Sequence, residues 1–192
     1  DAVRLASDDE AIHEQALREV LKMASEIDIT DSPPAMAQRI HRVIRRLVED
    51  DDPYRALKKR FNQHAKEIAA EYSGYIEDSE DPLEAAVRFA IAGNIIDLGV
   101  KSSIQETEVE RVISSCLRSE FNTADLDTFR RDIAASDRIL YLTDNAGEII
   151  FDRMLIEQLP AERVTVAVKG SPVINDATME DAEFAGLTDI VK

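Results

Sequence analysis

The sequence predicts an α/β protein in two parts, a helical domain over residues 1–135 and a truncated α/β domain over residues 136–192. Three observations carry this. Apolar residues recur at helical spacing through the N-terminal portion, Gly74 is the first glycine in the chain, and beyond Ser136 strand-like and helix-like segments alternate. A βαβαβ order implies a parallel sheet with right-handed crossovers.

The helical elements announce their own starts. Ser7-Asp8-Asp9-Glu10 has the form of a capping box, and Ile12, Leu17, Val20, Leu21, Ala24 and Ile27 follow on one helical stripe. Asp31-Ser32-Pro33 opens a second helix, with proline where its missing N–H costs nothing; its stripe is Met36, Ile40, Val43, Ile44 and Leu47. Asp52-Pro53 repeats the device ahead of Leu57, Phe61, Ala65, Ile68 and Tyr72. Asp81-Pro82 does so again, leading into the most apolar helix: Leu83, Ala86, Val87, Phe89, Ala90 and Ile91. Two more helices are expected over 106–119 and 125–135.

After Ser136 the expected order is strand 138–143, helix 147–158, strand 163–168 and helix 176–185, with Thr188–Lys192 reading as the opening of a further strand. Two full strands and part of a third are marginal alone. Together with Asp1 in place of an initiator methionine, this leads us to expect a portion of a longer protein whose C-terminal part is missing.

Composition narrows the function. The 192 residues are 44% apolar and 32% charged, and no run approaches the roughly 20 apolar residues of a membrane span. No basic-then-apolar leader is visible. The single cysteine, Cys116, permits no intrachain disulfide, which fits a reducing cytoplasm; it reads as a small core or boundary residue. With 23 basic against 39 acidic residues the net charge is −16. A nucleic-acid binder needs a basic footprint, so neither nucleic acid nor membrane is expected as a partner. A site for a phosphorylated small molecule must assemble its positive charge locally, and a metal ion is the obvious source.

In open parallel sheets, ligands bind beyond the carboxyl ends of the strands. The first strand runs into Thr143-Asp144-Asn145-Ala146-Gly147-Glu148 and the second into Lys169-Gly170-Ser171-Pro172-Val173-Ile174-Asn175-Asp176-Ala177-Thr178. Adjacent strands therefore bring Asp144, Asn145, Asn175 and Asp176 to one rim. Hard divalent cations take carboxylate and carboxamide oxygens and keep waters elsewhere in the shell. Helix capping is the competing explanation, since Asp and Asn are preferred caps. For Asp176 alone, capping suffices; for Asp144-Asn145 one residue would be enough to cap, and the joint placement of the two loops favours a metal site. Gly147 would let the helix backbone approach an anion at its N-terminus.

Other chemistries lack their residues. Only Gly147 stands where a dinucleotide fold wants G-x-G-x-x-G, and no P-loop is present. A haloacid-dehalogenase phosphatase would carry a second aspartate where this chain has Ala146. His13, His41 and His64 sit singly on separate helices without zinc spacing. One stretch of the helical region stands apart: Ala92-Gly93-Asn94-Ile95-Ile96-Asp97-Leu98-Gly99. It reads either as a helix stop or as polar Asn94 and Asp97 serving a site, since buried polar groups need partners.

Gly-Asn-x-x-Asp in a helical domain, Asp-Asn-Ala-Gly-Glu after a strand and Lys-Gly-Ser-Pro-Val-Ile-Asn-Asp-Ala-Thr after the next together resemble the metal-dependent damage-control phosphatases. That family was long catalogued as a domain of unknown function. It includes the eukaryotic acidic-residue-methyltransferase-like proteins and a phosphatase domain attached to a pantothenate-kinase-like protein. The resemblance is strongest to its short archaeal branch and covers nearly the whole chain. Two parts of that branch's pattern are not in this sequence: an opening Cys-x-x-Cys segment and, past the third strand, phosphate-binding loops with a lysine-glycine motif.

The resemblance implies a helical bundle packed on a Rossmann-like α/β/α domain with the active site between them. It implies metal ligands at Asp144, Asn145 and Asp176, and a cleft lined by Asn94 and Asp97. The expected reaction is hydrolysis of phosphate monoesters of small metabolites, such as sugar phosphates or damaged cofactor intermediates. Mg²⁺ or Mn²⁺ suits the oxygen ligands, and Ni²⁺ or Co²⁺ can occupy such a site in vitro. Asp144 and Asp176 are the expected catalytic residues, with a metal-activated water as attacking group or, alternatively, Asp144 as a nucleophile passing through an aspartyl phosphate. Asn94, Asp97, Gly147, Lys169 and Asn175 are expected at the substrate, Lys169 either neutralising transferred charge or standing as a solvated strand-end lysine. The reading from a different class is a non-catalytic acidic module that docks a protein partner.

Overall fold

The computed structural model describes residues 2–28, 30–95, 106–120 and 122–191. Helices α1 (Ala2–Ala6), α2 (Glu10–Ser25), α3 (Pro33–Val48), α4 (Arg55–Glu77), α5 (Pro82–Ile95), α6 (Glu106–Arg118) and α7 (Thr123–Ala135) precede the strands. Then β1 (Ile139–Leu142), α8 (Glu148–Ile156), β2 (Val164–Ala167) and α9 (Met179–Ala185) alternate. The described chain is thus mostly helical with a small parallel two-stranded sheet, in register Ile139 with Val164 through Leu142 with Ala167.

The expected starts operate, with one change of residue. Helix α2 is capped by Asp9, whose carboxylate accepts from the Ala11 N–H at 2.8 Å, while Ser7 Oγ takes the Asp9 N–H at 3.2 Å. Proline occupies the first turn of α3, and Asp81 Oδ1 accepts from the Glu84 N–H at 3.1 Å at the head of α5. The expected stripe of α2 is only partly inward: Ile12 and Val20 are half-buried, Leu17 and Leu21 are each 60% exposed, and the buried residue of the helix is Ala16, off that stripe. Strand β1 alternates, with Ile139 and Tyr141 half-buried and Leu140 and Leu142 exposed. Beyond α9 the expected strand opening is a 3-10 turn, Leu187–Asp189, entered through left-handed Gly186. Leu187 is buried in that turn, and the backbone bonds there are local, from Ile190 and Val191 N–H to the Leu187 carbonyl.

Contacts divide the chain into two compact units. One comprises residues 1–57 with 171–175, the other residues 58–170 with 176–192. In the first, α2 packs on α3, His41 lies against Tyr54 with ring centroids 5.7 Å apart, and Arg45 donates to the Pro172 carbonyl. In the second, Phe61, Ala65 and Ile68 of α4, Ala86, Phe89 and Ala92 of α5, and Ile149, Phe151 and Ile156 of α8 form the core.

The broadest helix pairing among the described elements is α5 on α8, and Gly93 makes it possible. A Cβ built on Gly93 would stand 2.8 Å from Phe151 Cδ2 and 2.9 Å from Phe151 Cβ. Phe151 is fully buried and its Cβ cannot swing away. Gly93→Ala should therefore destabilise the protein: overpacking of roughly 1–3 kcal/mol outweighs the gain of up to about 1 kcal/mol in helix propensity. Thermal denaturation checks this, with Gly93→Val expected to lower Tm further than Gly93→Ala.

Candidate functional site

The ends of the two parallel strands are tied together by backbone bonds. Thr143 N–H donates to the Ala167 carbonyl at 3.1 Å, carrying the ladder one residue past β1. The chain after β2 then comes back across the rim: Ala177 N–H donates to the Asp144 carbonyl at 2.7 Å and Lys169 N–H to the Ala177 carbonyl at 2.9 Å. Asn145 and Asp176 stand opposite one another in an antiparallel bridge, and Lys169 and Thr178 in a parallel one. Asp144, Asn145, Lys169 and Asp176 thus share one edge, set by main chain.

Side chains complete it. The Asn145 amide nitrogen donates to Asp144 Oδ2 at 3.0 Å and to Glu148 Oε2 at 3.1 Å. With that end committed, oxygen is the end of Asn145 left for a cation. Lys169 Nζ lies 3.3 Å from Asp176 Oδ2. Burial raises the Asp176 carboxyl above its ordinary range; Lys169 draws it down, Asp144 pushes it up and Lys58 opposes. Among the described residues, no group of three or more His, Cys, Asp and Glu side chains is arranged to hold a metal. The donors at the rim are two carboxylates and a carboxamide, which suits a hard cation that takes its remaining ligands from water.

The other expected residues fall in different places. Asn94, exposed near the end of α5, donates its amide N–H to Glu148 Oε1 at 3.0 Å, so it reaches the rim through Glu148. Asp97 lies outside the described residues. Asn175 belongs to the first compact unit, beside Ile174, whose φ of 49° is left-handed and unusual for a β-branched residue. Gly147 caps α8 with φ 85°, a conformation that favours glycine. Its N–H donates to the buried Asn62 Oδ1 at 2.7 Å.

Glu148, Asn62, Lys58 and Asp181 are additions to the set expected from sequence. Lys58 and Asn62 lie one turn apart with Phe61 and Ala65 on the inward face of α4. A lysine and an asparagine at the spacing of a core stripe were the available signal. Asn62 donates to Asp181 Oδ1 at 2.7 Å, and Lys58 Nζ lies 3.3 Å from Asp181 Oδ2. Burial works against the Asp181 carboxylate, but bonds from the Thr178 N–H and hydroxyl, the Asn62 amide and the Lys58 charge hold its carboxyl below the ordinary value.

Comparison with known proteins places this geometry in context. A family model described as the damage-control phosphatase ARMT1-like domain matches residues 1–191. The chain is 34% identical over 187 residues to a damage-control phosphatase of Archaeoglobus fulgidus, covering 95% of this chain and 64% of that one. It is 30% identical over 194 residues to a damage-control phosphatase of Pyrococcus horikoshii, covering 99% of this chain and 66% of that one. The crystal structure of a DUF89 family protein from Pyrococcus horikoshii matches with a TM-score of 0.82 at 30% identity, over 100% of this chain and 67% of that one. The chain therefore spans just under two thirds of the length of these two curated relatives, 64% and 66%.

Behind the rim lies a further acid. Asp152 of α8 is buried and accepts from the Tyr141 hydroxyl at 2.7 Å. Burial pushes its carboxyl up to about 7; the Tyr141 hydrogen bond opposes, and the charges of Glu148 and Asp144 add to the rise. Burial and the Asp152 charge push the Tyr141 hydroxyl up as well. Because Asp152 holds its proton more tightly folded than unfolded, its contribution favours the fold below about pH 4 and is lost as pH rises through about 7. Asp152→Asn, which keeps an acceptor for Tyr141, should remove that slope. Denaturant melts from pH 4.5 to 8 should give a variant that gains on the wild type as pH rises, by roughly 3 kcal/mol over that window.

Proposed function

The chain belongs to the damage-control phosphatase ARMT1-like family, and on that premise we propose that it is a divalent-metal-dependent phosphatase acting on phosphate monoesters of small metabolites. The single observation that carries this is the bridge that sets Asn145 opposite Asp176 with Asp144 beside it. Sugar phosphates and damaged cofactor intermediates are the substrate class we assign. The same reading makes the α/β portion Rossmann-like and the setting cytoplasmic. No helix among the described residues is long and apolar enough to cross a membrane.

Asp144, Asn145 and Asp176 would hold the cation, Mg²⁺ or Mn²⁺ by the hardness of their oxygens. When bound, such a cation supplies Lewis-acid polarisation of a phosphoryl oxygen and a lowered pKa for water. Asp144 and Asp176 also orient the attacking water for in-line displacement. We favour water over Asp144 as nucleophile, because the position two residues on is the buried Ala146 rather than an aspartate that could protonate the leaving group. The Lys169 ammonium, half exposed and now paired with Asp176, turns toward the charge carried by the transferred phosphoryl group. Asn94, held by Glu148, offers its carboxamide oxygen to a substrate hydroxyl, the kind of contact that discriminates between leaving groups.

Phosphate release from a panel of phosphomonoesters, with Mg²⁺, Mn²⁺, Co²⁺ or Ni²⁺ added in turn, tests the function. Activity should require a divalent cation. Asp144→Ala and Asp176→Ala should lower kcat by on the order of 1,000-fold or more, with weaker cation binding, as expected for groups that act in the transition state. Hydrolysis of no phosphomonoester under any cation, or unchanged cation affinity in Asp144→Ala, would contradict the assignment.

A further inference from the structure

One buried amide connects both loops of the rim. Asn62 is 2% exposed. Its Oδ1 accepts from Gly147 N–H at 2.7 Å, two residues beyond Asn145. Its Nδ2 donates to Asp181 Oδ1 at 2.7 Å. The other Asp181 oxygen accepts from Thr178 N–H at 2.8 Å and Thr178 Oγ1 at 2.7 Å, two residues beyond Asp176, and takes Lys58 Nζ at 3.3 Å. Lys58 and Asp181 are themselves 2% and 3% exposed. Among the described residues no buried side-chain nitrogen or oxygen lacks a partner, and the Lys58 charge is also felt by Asp176.

A buried lysine–aspartate pair is weak support for stability alone, since well-packed apolar residues often do as well. What polar groups add is direction. Asn62 can satisfy Gly147 and Asp181 at once only when the turn after β1 and the turn before α9 stand at one separation. That separation also sets Asp144 and Asn145 against Asp176. We propose that Asn62, with Lys58 neutralising Asp181 behind it, is a positioning residue that fixes the spacing of the cation-binding loops. It touches neither substrate nor cation. The inference rests on the metal-phosphatase reading for its consequence in activity, but the coupling of the two loops stands apart from that reading.

The test uses the whole chain, with hydrogen exchange of the metal-free protein, Mn²⁺ binding followed by electron paramagnetic resonance, and steady-state kinetics. In the wild type the Gly147 amide should be among the slowest in the 144–148 segment. Asn62→Leu, which removes both bonds, should raise exchange at 144–148 and 176–181 together by about tenfold or more. Exchange in β1, β2 and α5 should stay within threefold. Mn²⁺ affinity should fall about 10- to 100-fold, as when groups that orient metal ligands are removed, and kcat should fall with KM within threefold. Asn62→Asp keeps an acceptor for Gly147 but sets like charge against Asp181, so it should loosen 176–181 more than 144–148. It decides the matter if Asn62→Leu does not fold. Exchange that rises evenly through α4, α5 and α8, or folded variants with wild-type loop exchange and Mn²⁺ affinity, would overturn the proposal. So would a fast-exchanging Gly147 amide in the wild type, whatever the variants do. A wild type that hydrolyses no phosphomonoester would remove the proposed activity, while exchange and Mn²⁺ binding would still decide the role of Asn62.

Discussion

The hydrogen bond from Ala177 N–H to the Asp144 carbonyl, 2.7 Å long, is the constraint on which the rim depends. It closes the turn after β2 onto the turn after β1 and leaves Asn145 facing Asp176. The consequence is electrostatic: two carboxylates share an edge, and the Asp144 charge adds to the rise that burial imposes on the Asp176 carboxyl. Lys169 offsets part of it directly through Asp176. Charge of this kind, concentrated by backbone that gains nothing from it, is what a cation site requires in a chain of net charge −16.

Packing carries the constraint outward. Helix α8 begins at the rim and carries Glu148 at its head and Phe151 one turn on. Phe151 lies against Gly93 of α5 so closely that no side chain fits between them. That contact fixes how far α8 stands from α5, and Glu148 then meets Asn94 at 3.0 Å and Asn145 at 3.1 Å. The Gly-Asn pair of α5 is therefore one device with two functions, the glycine setting distance and the asparagine reaching the rim.

Much of this was legible in the sequence, and the rest was hidden for physical reasons. Ser-Pro and Asp-Pro starts and apolar periodicity locate α3 to α5 because capping and burial are local or one-dimensional signals. The strand-edge rule brought Asp144, Asn145 and Asp176 together because parallel strands have only one carboxyl edge. Lys58 and Asn62 are not legible as site residues because their partner Asp181 lies 123 and 119 residues away. Gly147 suggested close approach to an anion; the structure adds a positive φ and an N–H held by Asn62. Thr188–Val191 reads as β-prone, yet a strand needs a ladder partner, and the backbone there closes on Leu187 instead.

Crystals grown with Mn²⁺, measured at a wavelength where manganese scatters anomalously, test the metal centre most directly. The predicted result is one strong anomalous peak within coordination distance of oxygens of Asp144, Asn145 and Asp176. The same peak should vanish in Asp144→Ala crystals. A peak elsewhere in the chain, or none at the rim in a protein that still releases phosphate with Mn²⁺, would contradict it.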